Sequence, residues 1–390
     1  MDKNAQFPST LGYRMPAEWA PHEATWLAWP HNRSDWPGKF EPIPYVYAEI
    51  VRNLARGERV EIIVQDEPHE AKAREVLRLT NVLAESGKNL RFHRWPTNRG
   101  WLRDSGPIFV TRKSKQARFG APHRVPHPSL PLARVGYSAD VGSLAITDWR
   151  FNAWAKYGNW KLDNEIPSHV RKLTGLPAFE PTFPVRSRER RIVLEGGSID
   201  VNGRGTLITT EECLLSKVQQ RNPGLSREDI EEIFRRYLGV TNVLWLERGI
   251  VGDDTHGHVD DITRFVGPNT IVTAYEEDRS DANHKILHEN YRRLSRMKDQ
   301  DGKPLRIVKI PMPSPIVYRN QRLPASYANF YIANGRVLVP VFNDPKDRVA
   351  LNTLAELMPK HKITPIYCGD LVWGLGTIHC MTQQQPKAIL

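Results

Sequence analysis

Apolar positions along the chain change period from two to about 3.6 and back, and the change itself recurs. Residues 24–29 (ATWLAW) form an apolar run bounded by charge and proline, which predicts a strand. Residues 44–56 set Val46, Ile50 and Leu54 on one helical face, and 60–64 (VEIIV) return to a strand pattern. A second amphipathic helix is predicted over 70–86 and a third strand over 90–95.

From there one unit repeats: hairpin, helix, strand. Its clearest copy opens at 198–210 (SIDVNGRGTLITT), where Asn202-Gly203 is a strong hairpin signal. Ser226 and Asp229 then make a capping-box pattern ahead of Ile230, Ile233, Phe234, Tyr237 and Leu238, which share a helix face. Residues 243–246 close that unit. The next copy has a hairpin over 261–273, a helix with Leu287, Tyr291 and Leu294 in phase, and a strand at 305–310. The last turns at Asn334-Gly335, aligns Leu351, Leu354, Ala355 and Met358, and ends in a strand at 363–367. A less regular copy has strands near Ile108 and Leu144, a helix with Ile166, Val170 and Leu173, and a strand near 178–183. Counting the N-terminal stretch, five ββαβ-like units predict a closed circular α/β array, with a doubly wound sheet as the alternative. The first unit lacks a hairpin. Ring closure would supply one by pairing a C-terminal strand after Cys380 with 24–29.

Polar, glycine-containing clusters sit at one phase of the unit, between closing strand and next hairpin. They are 101–107 (WLRDSGP), Glu195-Gly-Gly197, 253–260 (DDTHGHVD) and 374–380 (GLGTIHC). In a pseudo-rotational ring such positions meet at one end of the axis, which gathers Asp104, Glu195, Asp254, His258, Asp260 and Cys380. Gly374 and Gly376 would allow a bend and close approach beside Cys380. The stretch after them, Cys-Met-Thr-Gln-Gln-Gln, reads as too polar for a buried strand, and Cys380 as a thiol at a cavity mouth.

Composition alters this picture little. The 390 residues are 40% apolar and 25% charged, with 30 prolines and 26 glycines, as in a globular, loop-rich domain. The whole of 1–390 is read as a single catalytic domain. The net charge of +11 is partly local: 112–134 holds six Lys/Arg and no acid, and is read as a basic loop insertion at about 112–140. It lacks interleaved aromatics for base stacking, which argues against nucleic acid. No apolar run suits a membrane span, and the first residues lack a secretory apolar core. Three distant cysteines, Cys213, Cys368 and Cys380, argue against a disulfide framework and for a cytoplasmic setting. Cys213 and Cys368 are expected to be structural. With no Cys-x-x-Cys pair, no metal is expected.

A thiol beside a histidine suits nucleophilic attack followed by general acid–base work. Several carboxylates in the same place would repel an anionic substrate and raise the thiol's pKa. They suit a flat cation instead, because two aspartates can match the fixed donor fork of a guanidinium. The residues themselves therefore point to thiol attack on a guanidinium carbon.

WLRDSGP, LEGGSIDVNG, DDTHGHVDD, RLPASYANFYI and WGLGTIHCMTQQQP together resemble the agmatine deiminase family, the bacterial peptidyl-arginine deiminase type of the guanidino-modifying superfamily. The likeness runs from about residue 15 to 386. It implies the five-bladed α/β-propeller (pentein) fold, no metal or organic cofactor, and a small cationic guanidino substrate; self-association is compatible with it. It also implies Cys380 as nucleophile, His258 as general acid/base, Asp104 and Asp260 as guanidinium carboxylates, and Glu195 as support for the histidine. Trp101 and Asp254 match positions near the substrate's tail. Two departures stand out: Asp200 where the family usually has histidine, and His256 where it has aspartate. His256, two residues from His258, is expected to bear on pocket charge. Agmatine leads as substrate; arginine, peptidyl-arginine or another N-alkylguanidine stay open. So do an amidinotransferase and a non-catalytic basic binding protein on the same scaffold.

Overall fold

A computed structural model describes residues 6–113 and 142–388; apart from Arg112 and Lys113, the basic insertion lies outside them. The protein is mixed α/β. Five sheets share one plan, in which an inner strand pairs antiparallel on one side and parallel on the other. Antiparallel partners can follow one another through a tight turn, whereas parallel partners need a crossover, here a helix. Thus Asp200–Val201 returns through Asn202-Gly203 to Thr206–Thr210, and the helix Arg227–Leu238 carries the chain to Asn242–Leu246. That helix has both halves of the capping box, buries all five residues of its apolar face, and stops at Gly239 with φ 67°.

The ends of the chain meet. Thr382–Pro386 runs antiparallel to His22–Ala28 and supplies the first sheet's missing hairpin partner. Contrary to its polar look, this strand is buried throughout. Each glutamine has a partner: Gln383 Nε2 donates to the Pro107 carbonyl at 2.9 Å. Gln384 accepts from Arg103 at 2.6 Å and Gln385 from the Trp26 indole at 2.9 Å. Satisfied amides tolerate burial that unpaired ones would not.

Other departures have local causes. The expected helix over 70–86 is two, Glu67–Leu79 and Val82–Ser86, broken where Asn81 turns left-handed at φ 62°. The strand near 178–183 splits into Ala178–Phe179 and Thr182–Val185 around Pro181, which has no N–H to donate. Leu173 and Ala355, placed on buried faces by periodicity, are exposed. Among the described residues no helix is long and apolar enough to cross a membrane.

Candidate active site

The short turns that join one sheet to the next bring the polar clusters together. A cavity of about 280 Å³ is lined by Trp101, Asp104, Asp254 and Cys380, with Asp35, Arg99, Trp154 and Tyr157. His258, Glu195 and Asp260 lie buried beneath that lining.

Cys380 sits in the turn Ile378–Met381, on the cavity wall and 7% exposed rather than at its mouth. Its Sγ accepts from Asn329 Nδ2 at 3.1 Å, and the thiol faces Asp260 Oδ2 at 3.7 Å. Burial pushes the thiol's pKa well up, Asp260, Asp261 and Asp104 add to this, and the Asn329 bond opposes them. The two glycines before it serve close approach. A β-carbon on Gly374 would lie 2.5 Å from Trp36 Nε1; one on Gly376 would lie 2.9 Å from the Trp101 ring and 3.2 Å from Cys380 Sγ. The left-handed bend itself falls on Leu375, at φ 69°.

Gly197 marks where the carboxylates and histidine meet. A β-carbon there would stand 2.6 Å from His258 Nδ1, 2.9 Å from Asp104 Oδ1 and 3.0 Å from Asp260 Oδ2. His258 lies between Asp104 (Nδ1 to Oδ1, 3.8 Å) and Glu195 (Nε2 to Oε2, 3.6 Å). Neither ring nitrogen has a hydrogen-bond partner among the described residues. Burial disfavours its charge, but Asp104, Cys213 and Glu195 outweigh burial and hold the pKa well above the usual histidine range. The charged form of the ring is thereby favoured.

Glu195 accepts from Arg221 Nε at 3.1 and 3.3 Å, both side chains fully buried. Burial would raise its pKa; Arg221 and His258 reverse that. Asp104 accepts from the Gly197 N–H at 3.0 Å and the Trp154 indole at 2.9 Å. Burial pushes it up to about 6, with His258 and Trp154 opposing and Asp260 and Glu195 adding. Asp260 takes a 2.7 Å contact from His379 Nδ1 on Oδ2, while Oδ1 has no partner among the described residues. Burial works against its charge, yet His379 first, then His258 and Arg264, hold its pKa below the usual value. Below it, His379 Nε2 meets Glu18 Oε2 at 2.8 Å. Arg264 joins Glu18 (2.8 Å) to Asp200 (3.3 Å), so Asp200 belongs to this buried ion network and not to the cavity lining.

One expectation needs correcting here. His256 does not bear on the cavity: with φ 64° it turns to a surface depression and meets Ser216 Oγ at 3.1 Å. Cys213 packs in a buried apolar cluster, as a structural cysteine does, and its sulfur lies within 4.8 Å of ligand atoms of both Glu195 and His258. Cys368 is buried, and burial alone raises its pKa. Asp254 does line the cavity, but Tyr157 Oη (2.7 Å) and Lys156 already engage it.

Asn329, Arg221, Trp154 and Asp35 were not singled out in the sequence. Asn329 had a legible signal: it stands just before the hairpin strand Tyr331–Ala333, the phase occupied by the other clusters. Asp260–Asp261–Cys380 and Glu195–Cys213–His258 have metal-ligand atom types close together. Their groups are committed elsewhere: Asp260 to His379, Asp261 and Cys380 to Asn329, Glu195 to Arg221. A ligand-like spacing passed over in the sequence, His284 and His288 on helix Ala282–Leu294, points one nitrogen of each ring at the Glu276 carbonyl, at 2.8 and 3.1 Å.

Known proteins are similar to this chain over nearly its whole length. The family model for Porphyromonas-type peptidyl-arginine deiminase matches residues 14–386. An agmatine deiminase from Stutzerimonas stutzeri is 35% identical, with 97% of each chain covered. The solved agmatine deiminase of Enterococcus faecalis superposes with a TM-score of 0.82 at 29% identity, covering 98% of each chain. A cysteine-to-serine agmatine deiminase from C. jejuni, solved with substrate bound, gives 0.78 at 27% identity and 97% of each chain. Over nearly its whole length, then, this chain belongs to the Porphyromonas-type peptidyl-arginine deiminase family.

Proposed function

We propose that the protein is an agmatine deiminase, hydrolysing agmatine to N-carbamoylputrescine and ammonia through a covalent amidino-cysteine. One observation carries the reading: Cys380 Sγ lies 3.7 Å from Asp260 on the wall of a cavity that also holds Asp104, with His258 beside both acids.

Before a cation binds, burial first and then Asp260, Asp261 and Asp104 disfavour the thiolate. A guanidinium clamped by Asp104 and Asp260 removes that opposition and lets the proton leave to solvent. The thiolate adds to the guanidinium carbon. His258 gives its proton to one departing NH2, and ammonia leaves a positively charged S-alkylthiouronium on Cys380. Neutral His258 then takes a proton from water, whose oxygen bonds to the same carbon. The C–S bond breaks with its pair on sulfur, and the product loses a proton to become the neutral urea. Glu195, anchored by Arg221, favours the charged form of His258 in each half-reaction.

The cavity's charge favours a diamine tail over an amino acid. Three carboxylates, Asp35, Asp104 and Asp254, line it with one arginine, and an α-carboxylate would face them. The repeated sheet plan and the terminal pairing support a closed five-bladed propeller acting as one catalytic domain. A free catalytic thiol supports a reducing, cytoplasmic setting.

Agmatine, arginine and an arginine-containing peptide, supplied in parallel at neutral pH, test the assignment by ureido product. Agmatine is expected to turn over fastest, with Cys380→Ser inactive. Turnover of the peptide or arginine but not agmatine overturns the substrate. An active Cys380→Ser overturns the mechanism.

A further inference from the structure

The residue before Cys380 is a histidine that the mechanism above leaves unused. His379 is buried, as are the groups it meets, and it lies outside the cavity lining. Its Nδ1 meets Asp260 Oδ2 at 2.7 Å and its Nε2 meets Glu18 Oε2 at 2.8 Å. Glu18 is itself fixed: Oε1 accepts from the Ile332 N–H at 2.8 Å and pairs with Arg264 at 2.8 Å, and Arg103 lies 3.4 Å from Oε2. Burial works against its charge, but Arg264, His379 and Arg103 hold its pKa well below the usual value. Ionised carboxylates only accept hydrogen bonds, so the ring donates to each acid it meets. The result at Asp260 is asymmetric. Oδ2 is taken, while Oδ1 has no partner among the described residues and is left to receive a guanidinium N–H. The two clamp acids also differ in what sustains their charge. Burial pushes Asp104 up to about 6, with His258 and Trp154 opposing. The same burial acts on Asp260, yet His379 first, then His258 and Arg264, hold its pKa below the usual value.

We infer that His379 is a positioning residue, the pin that holds Asp260 with Oδ1 open to the guanidinium, with Glu18 anchoring the pin from its far side. A donor fixed on Oδ2 sets the plane of the carboxylate, and it also favours the ionised form that a cation needs. The pin acts through Asp260 and touches neither substrate nor sulfur. The inference rests on the assignment of Asp260 to the guanidinium clamp.

His379→Leu and His379→Asn separate this role from packing. Leucine removes both bonds, whereas the Asn amide nitrogen stands where the ring Nδ1 stood and keeps the one to Asp260. With agmatine, kcat/KM is expected to fall on the order of 10²-fold in His379→Leu and far less in His379→Asn. The pH profile is the sharper readout. In the wild type, Asp104 alone of the two clamp acids titrates near pH 6, so kcat/KM falls about tenfold per unit below it. In His379→Leu, Asp260 loses its donor and keeps His258, Arg264, Asp261, Asp104 and Cys380 around it. Its pKa rises, so the acid limb moves to higher pH and steepens toward about a hundredfold per unit, since two acids must now ionise. His379→Asn should show a smaller move in the same direction. Glu18→Gln leaves His379 in place and loosens its anchor; it should move the limb the same way, and it serves if neither histidine variant folds. An unmoved limb in the folded variants, or equal losses in His379→Leu and His379→Asn, overturns the proposal. Should Asp260→Asn keep wild-type kcat/KM, the clamp assignment fails first, and the two failures are told apart.

Discussion

Gly197 has no functional group, yet its missing side chain is what lets the site close. Any β-carbon there would press within 3.0 Å of His258, Asp104 and Asp260 at once. Gly197→Ala is expected to cost about 1–3 kcal/mol of stability, as overpacking does. The larger effect falls on kcat, by about 10²-fold, because displacing the clamp by about 1 Å spoils attack geometry. A folded Gly197→Ala with kcat near wild type would mean these three groups do not act together. Titration gives a second test at the same scale. Asp104 must be ionised to hold a cation, and its pKa in the free enzyme is about 6. As pH falls below that value, kcat/KM for agmatine should drop about tenfold per unit, since free-enzyme groups govern this ratio. The drop reflects loss of the clamp and not unfolding. Burial favours the neutral acid, so this group's own contribution to stability is greatest below its unfolded pKa and is lost as pH rises through 6. A profile flat to pH 5 would remove Asp104 from guanidinium binding.

Elements show where sequence periodicity is a sufficient guide and where it is not. The helix Arg227–Leu238 was legible because cap, apolar face and stop signal agree, and each is local. Its Ser226→Ala variant should lose about 1 kcal/mol of stability, measured by urea denaturation, with kcat unchanged. The break at Asn81 was not legible: one left-handed residue interrupts an otherwise helical pattern. The buried strand Thr382–Pro386 was misread as too polar because burial of glutamine depends on partners far away in sequence, Trp26, Arg103 and Pro107. The same reason separates the site residues. Cys380, His258, Asp104 and Asp260 stand in recognisable motifs, whereas Arg221 is defined only by the carboxylate it meets across the fold. Arg221→Met would leave fully buried Glu195 without its hydrogen-bonded arginine and with His258 at 3.6 Å as the cation beside it, a change costing about 3–5 kcal/mol. It should also weaken the acid that supports His258. A thermal melt within a degree of wild type would show the pair to be dispensable.

At the scale of the molecule, the site exists because the chain's two ends are paired. Cys380 lies immediately before the strand Thr382–Pro386, so the strand that closes the first sheet also fixes the nucleophile's turn. Opposite it, Arg103 adjoins the clamp residue Asp104 and reaches across to Gln384 Oε1 at 2.6 Å and to the His379 carbonyl at 3.2 Å. Fold closure and clamp position are thus held by the same contacts. Deleting residues 382–390 would unpair His22–Ala28 along one edge, expose the Trp26 indole N–H, and leave the Arg103 guanidinium buried with Glu18 at 3.4 Å as its remaining anion. A buried charge that loses one acceptor while keeping Glu18 and the His379 carbonyl costs about 1–3 kcal/mol, and lost strand burial adds to it, against a total stability of about 5–15 kcal/mol. The truncated chain is expected to lose its cooperative thermal transition and agmatine turnover together. Gln384→Ala, which keeps the strand and removes one partner of Arg103, should lie between the truncated and full-length chains, with Tm lowered and kcat reduced. A truncated chain that melts cooperatively at the full-length Tm would show that the first sheet does not need its C-terminal strand, and that Cys380 is positioned by its own turn alone.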